Sequence, residues 1–113
     1  MKLSDIVERI SIDPRKLTEY ALSQEAPWGR HKAILFEKAL GFTQQNYADL
    51  LVQIEQQVLA AEAVLHSEDR FGIRYIVDLT VVGTEGRQAV IRTGWIVPHG
   101  AREARLVTLY LQR

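Results

Sequence analysis

The chain has 113 residues, with 14 Lys and Arg against 14 Asp and Glu, so its formal net charge is zero, and it contains no cysteine. This length fits one compact domain, and the lack of cysteine excludes a disulfide framework, a thiolate metal site and a cysteine nucleophile. A neutral total disfavours strong non-specific binding to nucleic acid, because such binders usually carry a basic excess. It still leaves room for an enzyme with a small basic site.

The first residues lead directly into charged positions and form no apolar signal segment. No run of apolar residues approaches the length of a membrane span. We therefore expect a cytoplasmic protein without a membrane partner, folded as a single domain over residues 1–113. Its helical part is expected at about residues 1–66 and its sheet part at about residues 70–113.

Helical spacing of apolar residues governs the first half of the chain. Residues 3–10 have this spacing, which predicts either a short helix or a docking arm. Asp13 and Pro14 then indicate a helix start, because Asp13 can accept from free backbone N–H groups and proline has no N–H to satisfy. A helix with a buried stripe is expected after them.

Two further helices are predicted before the sheet. One begins near Gly29 and ends at Gly41, which can adopt the left-handed conformation of a helix C-terminus. The next is capped by Asn46 and continues to Leu65. His66 then lies at a helix end, where a cation favours the helix dipole, so a structural role is expected for it.

From residue 71 the apolar side chains alternate, which predicts β-strands. A turn at residues 83–86 separates the first strand from a second at 87–97, and a third is expected at 104–112. A three-residue loop with Gly86 in the left-handed conformation gives the best match between the first two strands. This register places Arg92 opposite Asp78 as a cross-strand ion pair.

The predicted fold class is α+β, with N-terminal helices packed on one face of a C-terminal antiparallel β-meander of at least three strands. The helices are expected to cover the face that carries Tyr75, Val77, Leu79, Ile91 and Val107. The opposite face is then expected to present Arg74, Ile76, Asp78, Arg92, Ile96, Leu106, Thr108 and Tyr110. A face of mixed polarity suits a ligand or partner better than bulk water.

The first turn of the predicted second helix carries the densest cluster of candidate functional groups. Arg30, His31 and Lys32 follow one another there, close to Trp28. A histidine can serve as general acid or base and a lysine can hold a phosphate, while the helix start supplies N–H groups that favour anions. The alternative is a solvated first turn on an amphipathic helix.

The exposed sheet face is the second candidate. Arg74 and Arg92 supply guanidinium groups, Thr108 a hydroxyl and Tyr110 a phenol, which together suit the binding and polarisation of a phosphodiester. Alternatively, Arg92 pairs with Asp78 and the rest is an ordinary polar sheet surface. The histidines show no metal-ligand spacing and no glycine-rich phosphate motif is present, so neither a metal nor a cofactor is expected.

Four stretches in this order resemble a family of small bacterial domains that stand alone or form the C-terminal ends of polymorphic toxins. The stretches are residues 13–22 (DPRKLTEYAL), 29–41 (GRHKAILFEKALG), 93–96 (TGWI) and 105–108 (RLVT). That family is similar in layout, helices and then sheet, to the barnase, EndoU, colicin and RelE-like ribonucleases. Such enzymes place a histidine or lysine from the helical part against arginine and threonine on the sheet.

The resemblance implies a metal-independent ribonuclease of a toxin–antitoxin-type system. By motif it points to His31, Lys32, Arg74, Thr93, Arg105 and Thr108. We predict His31, Lys32, Arg74 and Thr108 as catalytic residues. The predicted substrate-binding residues are Trp28, Arg30, Arg92, Thr93, Arg105 and Tyr110.

A second hypothesis is a non-catalytic binding module, such as an antitoxin or immunity-type protein. The neutral net charge and the half-apolar sheet face favour it, because exposed apolar groups rimmed by charge mark interaction sites. Either hypothesis predicts a small partner protein encoded nearby, and the first adds RNA as a partner.

Overall fold

The structure, a computed structural model, describes residues 1–23 and 30–112, and for Arg30 the backbone alone. The strands are β1 (Arg9–Ser11), β2 (Val64–Asp69), β3 (Gly72–Val82), β4 (Gln88–Val97) and β5 (Glu103–Leu111). The α-helices are α1 (Arg30–Leu40) and α2 (Tyr47–Gln57), and shorter helical segments are the 3₁₀-helices Leu3–Asp5 and Val58–Ala60 and the π-helix Lys16–Ala21.

The strands form one mixed sheet in the order β1-β5-β4-β3-β2. Strands β2 to β5 pair antiparallel with their sequence neighbours, whereas β1 pairs in parallel with β5. The prediction of N-terminal helices on a C-terminal antiparallel meander is therefore wrong. Strand β1 begins in the segment expected as a short helix or arm, β2 begins inside the predicted third helix, and both α-helices lie in the middle of the chain.

The third predicted helix is too long because its last residues pair with β3 in a hairpin. Helix α2 ends at Gln57, and Val64 and Leu65 pair with Ile76 and Tyr75 of β3. Residues 58–65 are compatible with a helix by periodicity alone. Contacts with a neighbouring strand can override such a preference, and they do so for Val64 and Leu65. Leu65 is consequently exposed on an edge strand, and His66 lies within β2 and not at a helix end.

The loop before α2 also differs from its prediction. Asn46 precedes the helix but makes no side-chain cap. Its amide instead accepts from the N–H of Thr43 at 2.7 Å and donates to the carbonyl of Gly41 at 2.9 Å. The side chain therefore braces the connection between α1 and α2.

The hairpin of β3 and β4 confirms the predicted register. Arg92 lies opposite Asp78, and Gly86 has a φ of 81°, the left-handed conformation of a three-residue loop. The N–H of Gly83 donates to the carbonyl of Arg87 at 2.6 Å and closes this loop. Turn chemistry and alternation are both local, which is why the sequence specifies this part well.

Strand β5 contains a β-bulge that reverses two predicted side-chain directions. Gly94 pairs with Thr108 and Trp95 pairs with Leu106, so Val107 is an extra residue on β5. Leu106 is consequently buried at 4 % exposure, while Val107 is exposed at 39 %. The expected placement of Val107 inside and Leu106 outside is therefore wrong, because one inserted residue shifts the alternation.

The core lies between the two α-helices and one face of the sheet. It includes Phe36, Leu40, Leu50 and Ile54 from the helices, and Val77, Ile91, Trp95 and Leu109 from the strands. No helix in the described part of the chain is long and apolar enough to cross a membrane.

Candidate functional site on the outer face of the sheet

The face of the sheet opposite the helices, called the outer face below, carries the polar side chains of the central strands. Arg92 on β4 donates to Asp78 on β3 through Nε at 2.9 Å and Nη2 at 3.1 Å, and Tyr110 on β5 lies opposite Arg92. Arg74 on the same face donates to Asp69 at 3.2 Å. Alternation along three adjacent strands thus brings these groups together.

Helix α1 reaches this face around the edge of β5. Strand β1 pairs only with Glu103–Arg105, so no strand among the described residues lies beside the rest of β5 on that side. The π-helix and α1 contact β5 there. As a result, the Lys32 ammonium in the first turn of α1 lies 4.7 Å from the centroid of the Tyr110 ring, a cation–π distance.

The other end of α1 is fixed on the β3–β4 turn. Gly41 ends the helix with a φ of 78°, and the N–H of Thr84 donates to the carbonyl of Leu40 at 2.8 Å. Gly83 allows this close approach, because a Cβ there would lie 2.4 Å from the Leu40 carbonyl oxygen. With its C-terminal end anchored on the sheet, α1 presents Lys32 from a rigid element and not from a loop.

Three recesses meet at this edge. The arginine recess, of about 160 Å³, includes His66, Arg74, Arg92, Thr108 and Tyr110 among its lining residues. The lysine recess, of about 330 Å³, includes Lys16, Tyr20, Lys32 and Thr108. The histidine recess, of about 350 Å³, includes His31, Lys32, Leu35 and Tyr110. Lys32, Thr108 and Tyr110 each border two of the three, and we call these three residues the junction.

The basic side chains around the junction, Arg92, Arg74 and Lys32, differ in whether they form ion pairs with carboxylates. Arg92 is held by both oxygens of Asp78, which raises the pKa of the guanidinium, with Tyr110 acting in the same direction. Arg74 makes one hydrogen bond to Asp69. Among the described residues Lys32 takes part in no ion pair, so its charge is available to an anion.

The floor of the arginine recess depends on a glycine. Gly94 lies opposite Thr108, and a Cβ at Gly94 would come within 3.0 Å of the Thr108 Cγ2. The bulge at the next position then leaves both Val107 and Thr108 exposed in succession. Thr108 consequently lines two recesses.

Several predicted site residues lie elsewhere. Thr93 is fully buried, where its hydroxyl donates to the Val77 carbonyl at 2.6 Å and accepts from the Trp95 indole at 2.7 Å. Arg105 lies beyond the bulge, is bonded to Glu103 at 3.4 Å and borders none of the three recesses. Trp28 and the Arg30 side chain lie outside the described residues.

The structure brings the four predicted catalytic residues to one region but not into one recess. Lys32 and Thr108 share the lysine recess, and Arg74 and Thr108 share the arginine recess. His31 lines the histidine recess with Lys32, and Tyr110 connects that recess to the one that contains Arg74.

Sequence reasoning missed three residues at the site. His66 was assigned to a helix end, although the turn residues Asp69 and Gly72 that follow it signal a hairpin, and Asp69 indeed accepts from the N–H of Phe71 at 2.9 Å. Lys16 and Tyr20 lie on the π-helix, whose wide turn no simple periodicity reveals. Of the described residues, no three or more His, Asp or Glu side chains form a group that could hold a metal ion.

With this geometry in place, comparison with known proteins assigns the family. A family model described as "Domain of unknown function (DUF6883)" matches residues 2–113, so the chain belongs to that family. No curated protein matches the chain significantly. Among solved structures, a chain of a contact-dependent growth inhibition toxin–immunity protein complex from Klebsiella pneumoniae 342 is similar in fold. That likeness has a TM-score of 0.69 at 16 % identity and covers 90 % of this chain and 92 % of the other.

Proposed function

We propose that this protein is a module of a bacterial toxin–immunity-type system and that it cleaves RNA without a metal ion at the junction on the outer face. The observation that carries the proposal is the position of the Lys32 ammonium, which forms no ion pair with a described residue, beside Tyr110 and Thr108 where three recesses meet. The resemblance to toxin-associated domains and the fold likeness to a chain of a toxin–immunity complex support the setting.

The reaction suited to these groups is transphosphorylation. The ribose 2′-oxygen attacks the neighbouring phosphorus and loses its proton to a base, the bond from phosphorus to the 5′-oxygen breaks, and an acid protonates that oxygen. In-line attack needs the acid and the base on opposite sides of the phosphate. His31 and His66 border Tyr110 from two different recesses, so we assign these imidazoles to the two proton transfers.

The cations act on the phosphate that gains negative charge during the attack. Lys32 and Arg74 hold its non-bridging oxygens, and Thr108 donates a hydrogen bond that orients it. Arg92 has a different role, because both its bonds to Asp78 are already made. It fixes the outer face and the position of Tyr110, which in turn supports the Lys32 ammonium.

The proposal is tested by expression of the chain alone in a bacterial host. We expect slowed growth and degraded cellular RNA, and His31→Ala should relieve both, because loss of a general acid or base removes about 10²–10⁴-fold in rate. His99→Ala is the matched control, since its imidazole bonds to the Asp69 carbonyl at the end of β2, at 2.7 Å, and His99 lines none of the three recesses. Normal growth and intact RNA at high expression would refute catalysis.

A second candidate is an immunity-type binding module, favoured by the edge of the sheet at β2, which no other described strand covers. Strand β2 is the last strand on its side, and Val64 and Leu65 on it are exposed at 58 % and 65 %. An edge strand with apolar side chains is a template for pairing with another chain. In this case the protein would co-purify with a toxin, His31→Ala would leave that binding intact, and Val64→Lys would abolish it.

A further inference from the structure

The lysine recess borders the junction through Lys32 and Thr108, but its residues Lys16 and Tyr20 have no part in the proposed reaction. Two lysine–tyrosine pairs flank it: the Lys16 ammonium lies 5.4 Å from the Tyr20 ring centroid, and Lys32 lies over Tyr110. Tyr20 is exposed at 58 % although it belongs to a helical turn whose other apolar residues, Leu17 and Ala21, are buried. A large aromatic ring is therefore held at the surface and borders the recess.

The fold keeps this ring in place. The π-helix closes with the N–H of Leu22 donating to the Leu17 carbonyl at 2.8 Å, so Tyr20 stands on a turn anchored in the core. Such wide turns are frequent at functional sites. A second anchor comes from Gln44, whose side-chain amide bonds to the carbonyl of Thr18.

The local charge suits a polyanion. Lys16 and Lys32 both line the recess, whereas Asp13 and Glu19 line a separate hollow that shares Lys16 and Tyr20 with it. Arg15 binds Asp13 through its guanidinium and its backbone N–H, which lowers the pKa of that carboxyl to about 2 and keeps it paired. Lys16 takes part in no ion pair among the described residues.

We propose that the lysine recess binds a second nucleotide of a single-stranded RNA, next to the scissile phosphate, with its base stacked on Tyr20 and its phosphate on Lys16. This inference rests on the proposed function and names its substrate class. Thr108 and Lys32 border both this recess and another one, so a nucleotide bound here adjoins the junction. Its volume, about 330 Å³, is at the lower end of the range for ligand sites, as expected for one nucleotide.

A stacked base must be unpaired, because a duplex hides the base faces, so the recess selects single strands. Stacking is tolerant of base identity, since every base has a π-face. The recess should therefore make the protein prefer single-stranded over double-stranded RNA, and longer over shorter oligonucleotides, with little preference for base sequence.

The test measures binding separately from cleavage. A fluorescently labelled 2′-O-methyl tetranucleotide cannot be cleaved, because it lacks the free 2′-hydroxyl, and its affinity is read by anisotropy at low salt. We expect Tyr20→Ala to weaken binding about tenfold, a typical effect of losing one stacked base. Tyr20→Phe should restore it, and Lys16→Gln should reduce the slope of log K against log salt by about 0.7, the effect of one phosphate contact.

The control is a matched pair at another site. Phe71 is exposed at 60 % and the Arg70 guanidinium lies 4.8 Å from its ring centroid, but this pair lies on the turn between β2 and β3. Phe71→Ala should stay within about twofold of wild type, since it removes no stacked base. Thermal unfolding of every variant checks that the fold is intact.

The outcomes separate the two proposals. Tyr20-dependent binding by a protein that cleaves no RNA would support the subsite and reject the proposed reaction. Cleavage of a ribo-tetranucleotide at the same rate by wild type and Tyr20→Ala, together with equal binding, would overturn the subsite alone. Absence of any binding by the wild type, or equal losses in Tyr20→Ala and Phe71→Ala, would also overturn it.

Discussion

The two faces of the sheet both combine a threonine with an aromatic residue, and they use the combination in opposite ways. On the inner face the Thr93 hydroxyl bonds to the Val77 carbonyl and to the Trp95 indole, and all are buried. On the outer face Thr108 is exposed and Tyr110 carries a lysine ammonium over its ring. Buried polar groups that form hydrogen bonds with one another stabilise the fold, whereas exposed polar groups can still bind a ligand.

The largest effect on stability is expected at the β-bulge, where Leu106 faces the core and Val107 faces solvent. Leu106→Ala should lower the free energy of unfolding by about 2–5 kcal/mol, because it leaves a cavity in the core. Val107→Ala should change it by no more than about 0.5 kcal/mol, since that side chain is exposed. Urea unfolding of the two variants measures both, and a larger loss for Val107→Ala would contradict the register.

A smaller effect on the free energy of unfolding is expected when the buried hydroxyl of Thr93 is removed. Thr93→Val keeps the shape of the side chain but leaves the buried Trp95 indole without its acceptor, which should cost about 1–3 kcal/mol of stability. Thr93→Ser retains the acceptor and is the control. If valine and serine were equally stable, the internal hydrogen bonds would not be what this residue supplies.

The smallest effect is expected at the outer ion pair. Arg92→Gln and Asp78→Asn should unfold at nearly the wild-type temperature, because exposed ion pairs add little net stability. Their effect should fall instead on any activity that depends on the position of Tyr110. A marked drop in melting temperature for either single variant, absent in the double variant, would show that the pair is structural.

The sequence predicts best those features that depend on residues close together in the chain. The β3–β4 register and the ion pair of Arg92 with Asp78 follow from alternation and from the turn at Gly86, both of which are local. The prediction of the overall fold class is wrong for two separate reasons. Strand β1 pairs with β5, which is far away in sequence, and β2 begins within residues whose spacing also fits a helix. Neither the parallel β1 nor the extra residue Val107 leaves a local signal.

For the candidate site, too, some features can be predicted from the sequence and others depend on the fold. Lys32, Arg74, Thr108 and Tyr110 could be chosen by their chemistry, but their arrangement depends on how short β1 is, since that lets α1 reach the edge of β5. The sequence analysis does not find His66 and Tyr20 for different reasons: the residues around Leu65 also fit the end of a helix, and simple periodicity does not reveal the π-helix that carries Tyr20.

The central claim, that the junction on the outer face cleaves RNA, is tested most directly by comparing two lysines of the same helix. Purified Lys32→Gln and Lys38→Gln should unfold alike, because both side chains are exposed on α1. With a chelator present, we expect Lys38→Gln to cleave RNA at the wild-type rate and Lys32→Gln to be slower by about 10²–10³-fold, the usual loss when one group that stabilises transition-state charge is removed. Equal rates for the two variants, or no cleavage by the wild type, would contradict the account.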